Sequence, residues 1–171
     1  KLVPNFNNTS KKVLNFGAGH GGLSVILNLL GHYVVNIEPS EMICMSPINW
    51  DKKNSFKEVK DCGFDLIYGS HSLEHVQNIQ KTCEIISNLS KYETIHFWEV
   101  PNADSKNCGV HLNRIDIPHT YYFKDKFFEY FLKDIMYICR YDKAFEDSRP
   151  PFSDIKECNG DALLVVGRLN R

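Results

Sequence analysis

The sequence predicts an α/β chain with a mostly parallel sheet, helices on both faces and a closing antiparallel strand pair. Three observations carry this expectation. Short apolar runs alternate with stretches whose apolar residues recur at helical spacing, and such alternation builds parallel sheets. The first run stops at a glycine cluster, Gly17 to Gly22. The last two runs have no helical stretch between them and can close the sheet as neighbours.

Residues 1–11 are polar and Asn-rich and read as a loose lead-in. Val13-Leu14-Asn15-Phe16 reads as a buried strand ending at the glycines. Leu23, Ile26, Leu27 and Leu30 then recur at helical spacing, and Gly31 stops that helix. Tyr33 to Ile37 is β-branched and apolar, a second strand ending at Glu38-Pro39. Residues 40–62, interrupted by Pro47, leave room for one short helix and one weak strand. Phe64 to Tyr68 is the next strand, and Val76, Ile79, Cys83, Ile86 and Leu89 form the stripe of a helix over 76–89. Thr94 to Val100 is a strand ended by Pro101. Residues 101–122 form a long polar loop on the substrate side, because loops of that length in compact domains serve as lids or binding elements. Lys124 to Asp134 carries Phe127, Phe128, Phe131 and Leu132 at helical spacing, which marks them as core. Strands at Met136–Tyr141 and Ala162–Gly167 follow, joined by a loop containing Arg149-Pro150-Pro151. The whole of 1–171 is expected to form a single domain.

With 43% hydrophobic and 24% charged residues, the chain has the composition of a globular protein. A net charge of −1 gives no overall field for nucleic acid or an anionic membrane, and Lys52-Lys53 reads as solvated surface. No apolar run approaches the length of a membrane span, and no signal peptide is visible. The six cysteines are scattered without a C-x-x-C pair, which points to reduced thiols in a cytoplasmic protein.

Gly17-Ala18-Gly19-His20-Gly21-Gly22 sits between a predicted strand and a predicted helix. Glycines allow a tight turn and let a ligand approach the backbone, and the helix start offers free N–H groups. Glu38 lies 21 residues after Gly17, at the end of the next strand, where a carboxylate can accept hydrogen bonds from both ribose hydroxyls. Strand, glycine loop, helix, strand and terminal acid in that order indicate a Rossmann-like site for a nucleoside-type cofactor. Val13 to Gly22 resembles the first motif of class I S-adenosylmethionine-dependent methyltransferases. Phe64 to Val76, with Ser70-His71-Ser72-Leu73-Glu74-His75, is similar to the fourth-strand segment of that superfamily. Glu99-Val100-Pro101-Asn102 and His119 to Phe123 resemble the region after the fifth strand in its small-molecule branch. The resemblance spans about residues 12–168.

The resemblance implies S-adenosylmethionine as cofactor, with Gly17, Ala18, Gly19 and Gly21 near its methionine and sugar. Glu38 and Pro39 would hold the ribose end, and Ser70 and His71 would lie beside the cofactor. Asn15 stands where the family has an acid that helps fix the methionine's amino end; an amide accepts a hydrogen bond but lacks the charge. The adenine contact is open, with Trp50 and Asp51 as candidates. Methyl transfer to a hydroxyl gains from a histidine base, so His71 and His119 are the catalytic candidates. His111, His119, Tyr121 and Tyr122 are the candidate acceptor contacts, and His75 reads as capping or packing the helix start. The expected acceptor is a small molecule, such as a metabolite, sugar or lipid precursor, with no nucleic acid or membrane partner.

Three other readings stay open. Gly17-x-Gly19-x-x-Gly22 with Glu38 also fits a nicotinamide dehydrogenase, although 171 residues are too few to hold an additional substrate domain. His71-Ser72-Leu73-Glu74-His75 matches the inverted zinc-protease pattern H-x-x-E-H. It directly follows a buried strand and includes a turn, so no metal is expected. The third reading is a catalytically degenerate binding or scaffold domain of the same fold.

Overall fold

The computed structural model describes residues 9–41, 51–106, 108, 119–141 and 160–169. Its strands are β1 (Lys12–Phe16), β2 (Tyr33–Ile37), β3 (Asp51–Lys53), β4 (Phe64–Ser70), β5 (Ser90–Pro101), β6 (Lys133–Tyr141) and β7 (Ala162–Leu169). Its α-helices are α1 (Gly22–Leu29), α2 (Ile79–Leu89) and α3 (Asp125–Leu132). Short 3-10 turns occupy Phe56–Glu58 and Leu73–His75. The seven strands form one sheet in the order β3-β2-β1-β4-β5-β7-β6. All pairings from β3 to β5 are parallel, and β7 lies antiparallel to both β5 and β6.

Period-2 alternation along the strands divides the core. Leu14 and Phe16 of β1, Val35 and Ile37 of β2, and Ile67 of β4 belong to the larger cluster, with Ile86 and Leu89 of α2 and Phe128, Phe131 and Leu132 of α3. Val13, Val34 and Leu66 point the other way and pack with Leu23 and Leu27 of α1. Helices therefore cover both faces, as the alternation implies. Chain order reverses at β1, which has β2 on one side and β4 on the other. In open α/β sheets that reversal opens a crevice at the strands' carboxyl ends.

Several boundaries differ from the sequence expectation. The helix expected from Val76 starts at Ile79, because Asn78 takes an extended conformation and its Oδ1 accepts the Lys81 N–H at 2.9 Å. The helix expected to reach Asp134 ends at Leu132, since Lys133 turns left-handed at φ 62° and pairs at once with Leu169. Between 40 and 62 the structure has the three-residue β3 and the 3-10 turn at Phe56–Glu58, and residues 42–50 lie outside the described part. Part of the 101–122 loop is anchored: Asn102 Nδ2 donates to the Gly160 carbonyl at 2.8 Å and Ala103 N donates to the Phe123 carbonyl at 2.9 Å. Residues 107 and 109–118, His111 among them, lie outside the described part, as do residues 1–8 of the lead-in. Cys62, Cys83, Cys108 and Cys139 are thiols outside any disulfide. No helix among the described residues is long and apolar enough to cross a membrane.

Candidate active site

A cavity of about 700 Å³ opens at the carboxyl ends of β1, β2 and β4, within the range of small-ligand sites. Phe16, Gly19, Glu38, Phe56, Ser70 and His71 are among its lining residues. The Phe16 and Phe56 rings stack at 5.0 Å between centroids and supply a flat apolar wall. Glu38 is the polar group of this half. One of its oxygens accepts the Gly19 N–H at 2.7 Å and the other accepts the Ser40 N–H at 2.9 Å. Burial opposes its charge, but the hydrogen bonds from Ser40 and Gly19 and the nearby Lys52 ammonium outweigh that. The carboxyl is held below its ordinary pKa. Each oxygen keeps a lone pair for a ligand hydroxyl. A side chain at Gly19 would meet nothing within 4 Å. An ionised acceptor, an open stretch of backbone and a flat apolar wall fit the sugar and base of a nucleoside.

The other loop residues act on the loop itself. A Cβ at Gly17 would lie 1.9 Å from Ser72 Oγ, so Gly17 lets the β1 turn pass the β4 turn, and it lines the cavity. Ala18 N donates to the Ile37 carbonyl, Gly21 N donates to the Ala18 carbonyl, and Gly21 caps α1 at φ 78°. Neither Ala18 nor Gly21 is among the lining residues, whereas Pro39 and Ser70 are. Asn15 also lies apart from the cavity. Alternation turns it beneath α1, where its Nδ2 donates to Ser24 Oγ at 2.8 Å and to Asn36 Oδ1 at 3.3 Å. In this buried polar trio an amide supplies donors that a carboxylate lacks.

The second half of the cavity is built by the turn after β4. His71 takes φ 48°, unusual for a residue with a side chain, and its N–H donates to the Glu99 carbonyl at 2.9 Å. Its ring lies between two carboxylates: Nδ1 is 3.2 Å from Glu74 Oε1 and Nε2 is 3.7 Å from Glu99 Oε1. Ser70 Oγ and the Tyr141 hydroxyl both donate to Glu99. Carboxyl groups beside both ring nitrogens can orient an imidazole. Glu74 is wholly buried, and burial pushes its carboxyl above the usual range despite the nearby His75 and His119. Because Leu73–His75 is a 3-10 turn, His71 and His75 do not share an α-helical face, and the helical H-x-x-E-H arrangement of a protease is not formed.

His119 and the two tyrosines lie next to this turn and are not among the cavity-lining residues. The backbone N–H groups of Thr120 and Tyr121 donate to the Glu74 carbonyl at 2.8 and 3.1 Å, which ties the segment to the turn. The His119 ring stands 5.0 Å from that of His75 and 6.0 Å from that of Tyr122. The Tyr121 hydroxyl accepts the Ile79 N–H at 3.3 Å and donates to the Gln77 carbonyl at 3.2 Å, so it braces the start of α2. Of the two adenine candidates, Trp50 lies outside the described residues. Asp51 is taken by Lys53 at 2.6 Å and Tyr33 at 2.9 Å, away from the cavity. The lining residues on that side are Asn54, Ser55 and Phe56, just past the end of β3. A count to the strand's carboxyl end would have found them, but β3 has only three residues and weak character.

The profile of the family described as "Methyltransferase domain" matches residues 1–145. No curated protein sequence matches this chain. Among solved structures, a SAM-dependent methyltransferase from Archaeoglobus fulgidus is similar at a TM-score of 0.69 and 16% identity, covering 94% of this chain and 87% of that one. A putative S-adenosylmethionine-dependent methyltransferase from Listeria monocytogenes gives 0.70 at 14% identity, over 99% and 94% of the two chains. The Burkholderia thailandensis 1,6-didemethyltoxoflavin-N1-methyltransferase, solved with 1,6-didemethyltoxoflavin and S-adenosylhomocysteine, gives 0.69 at 16% identity, over 96% and 73%. At such identities the likeness is one of fold. Family profile and fold agree: the chain belongs to the class I methyltransferase superfamily, an enzyme whose cofactor is S-adenosylmethionine.

Proposed function

We propose that this methyltransferase acts on a small-molecule acceptor, a metabolite, sugar or lipid precursor. The observation that carries the reading is a single cavity holding both the Glu38–Gly19 cradle and the imidazole of His71. A net charge of −1 supports it against nucleic acid. The toxoflavin-precursor methyltransferase shows the same fold around a small acceptor in that protein.

When bound, S-adenosylmethionine supplies the electrophilic methyl group. Glu38 would hold the ribose hydroxyls, Pro39 and Phe56 would line the cofactor pocket beside it, and Gly17 and Gly19 would give backbone access. Ala18 and Gly21 hold the loop's shape, Asn15 fixes it from behind through Ser24, and Ser70 would lie beside the cofactor. His71 borders the cofactor and takes the acceptor's proton, oriented by Glu74 and Glu99. His119, Tyr121 and Tyr122, beside the turn, would contact the acceptor, with His119 as the second candidate base and His111 as a further candidate contact. The thiols outside any disulfide support a cytoplasmic setting. One continuous seven-stranded sheet supports a single domain over 1–171.

The test is transfer of labelled methyl from S-adenosylmethionine to fractionated metabolites, proteins and nucleic acids. Label should enter the metabolite fraction, and His71→Ala should lower kcat by about 10²-fold or more with a smaller effect on the KM for cofactor. Label confined to protein or nucleic acid would overturn the acceptor class.

A further inference from the structure

We infer that Glu74, His75 and His119 form a binding site for a divalent first-row transition-metal ion at the wall of the cofactor cavity. One ligand atom from each lies within 4.8 Å of the others. Glu74 is wholly buried, and beyond its own backbone N–H its carboxylate oxygens have no hydrogen-bond partner, although His71 Nδ1 and His75 Nε2 lie 3.2 and 3.8 Å from Oε1. His119 Nδ1 is likewise buried without a hydrogen-bond partner. A buried carboxylate short of donors is costly. The nearest groups of other residues are the imidazoles, and an ion would satisfy the carboxylate and the His119 nitrogen together.

The ligand set selects the class of ion. Two imidazoles and one carboxylate without a thiolate suit zinc, manganese, iron(II), cobalt or nickel better than calcium or magnesium. Metal–ligand bonds of about 2.1 Å in tetrahedral array place ligand atoms about 3.4 Å apart, so the present spacing closes by side-chain adjustments of about 1 Å. The backbone already holds the two contributing segments together through the Thr120 and Tyr121 bonds to the Glu74 carbonyl. His71 stands behind the carboxylate at 3.2 Å, where an outer group orients a ligating carboxylate. Three protein ligands leave at least one coordination position open. His75 lines the cavity, so that position adjoins it and suits an acceptor oxygen. The site stands on its own geometry; only the role of the open position rests on the proposed acceptor.

The test uses the full chain, stripped with a chelator and titrated with zinc(II) and separately with cobalt(II). Cofactor binding is followed in parallel with S-adenosylhomocysteine, so failure of the metal site is distinguishable from failure of the cofactor site. One ion per chain is expected, with cobalt d–d absorption and no intense sulfur-to-cobalt band. Glu74→Gln and His119→Ala should each weaken zinc binding at least 10-fold. His119 is only half-buried, so its variant keeps the test valid if Glu74→Gln fails to fold. Absence of saturable binding, or zinc affinity unchanged in His119→Ala, would overturn the assignment.

Discussion

Gly17 cannot carry a side chain as the backbone stands. Its φ of 71° is left-handed, and a Cβ would sit 1.9 Å from Ser72 Oγ. Gly17→Ala should therefore cost about 3 kcal/mol, from backbone strain and the forced shift of the adjoining turn. Urea unfolding checks this, and Ser72→Gly in the same background should restore only part of the loss, since the backbone strain remains. His96 gives a second prediction. It is fully buried beside Ser90 Oγ, and burial lowers its pKa from 6.5 to about 3. The unfolded chain then takes up the proton first as the solution is acidified. The contribution of His96 to stability is complete above about pH 6.5 and declines as pH falls toward 3, by about 1.4 kcal/mol per pH unit. His96→Leu should flatten that decline in the urea midpoint measured between pH 6.5 and 4.5; an unchanged slope would assign the acid sensitivity elsewhere.

At the scale of elements, the turn between β4 and α2 organises the second half of the cavity, and its end is set by one cap. Asn78→Ala should cost about 1 kcal/mol in thermal or urea unfolding, because the Lys81 N–H loses its acceptor. This turn also shows what a sequence does not disclose. The glycine loop was legible because spacing and residue type are both dictated by backbone geometry, and Glu38 followed from the length of one strand–helix–strand unit. The turn is different. H-x-x-E-H reads as one pattern, yet a 3-10 turn places its residues, and His119 arrives from more than forty positions away. Glu99 reaches His71 through the register of β4 with β5, which joins Ser70 to Glu99, a pairing that no local periodicity announces. Phe56 meets Phe16 for the same reason, across β1, β2 and β3. Asn15, which stands where the family has an acid, is turned by strand alternation to the α1 face, where it hydrogen-bonds Ser24.

At the scale of the molecule, the parallel half of the sheet supplies the strand ends that gather the cavity. The antiparallel β5–β7–β6 edge supplies Tyr141 to brace Glu99. Fold class and the closing strand pair were readable from element order, because a doubly covered parallel sheet admits few arrangements, whereas the cofactor type followed from the resemblance of Val13 to Gly22 and Phe64 to Val76 to the methyltransferase superfamily. The central claim is that Glu38 and the glycine loop form the cofactor cradle. Its most direct measurement is calorimetric titration of the protein and of Glu38→Ala with S-adenosylhomocysteine, with NAD as the control. Saturable binding of one S-adenosylhomocysteine per chain, no NAD binding, and at least a tenfold rise in Kd for the variant, about 1.4 kcal/mol, are expected. Absence of binding, or an affinity that Glu38→Ala leaves unchanged, would contradict that claim.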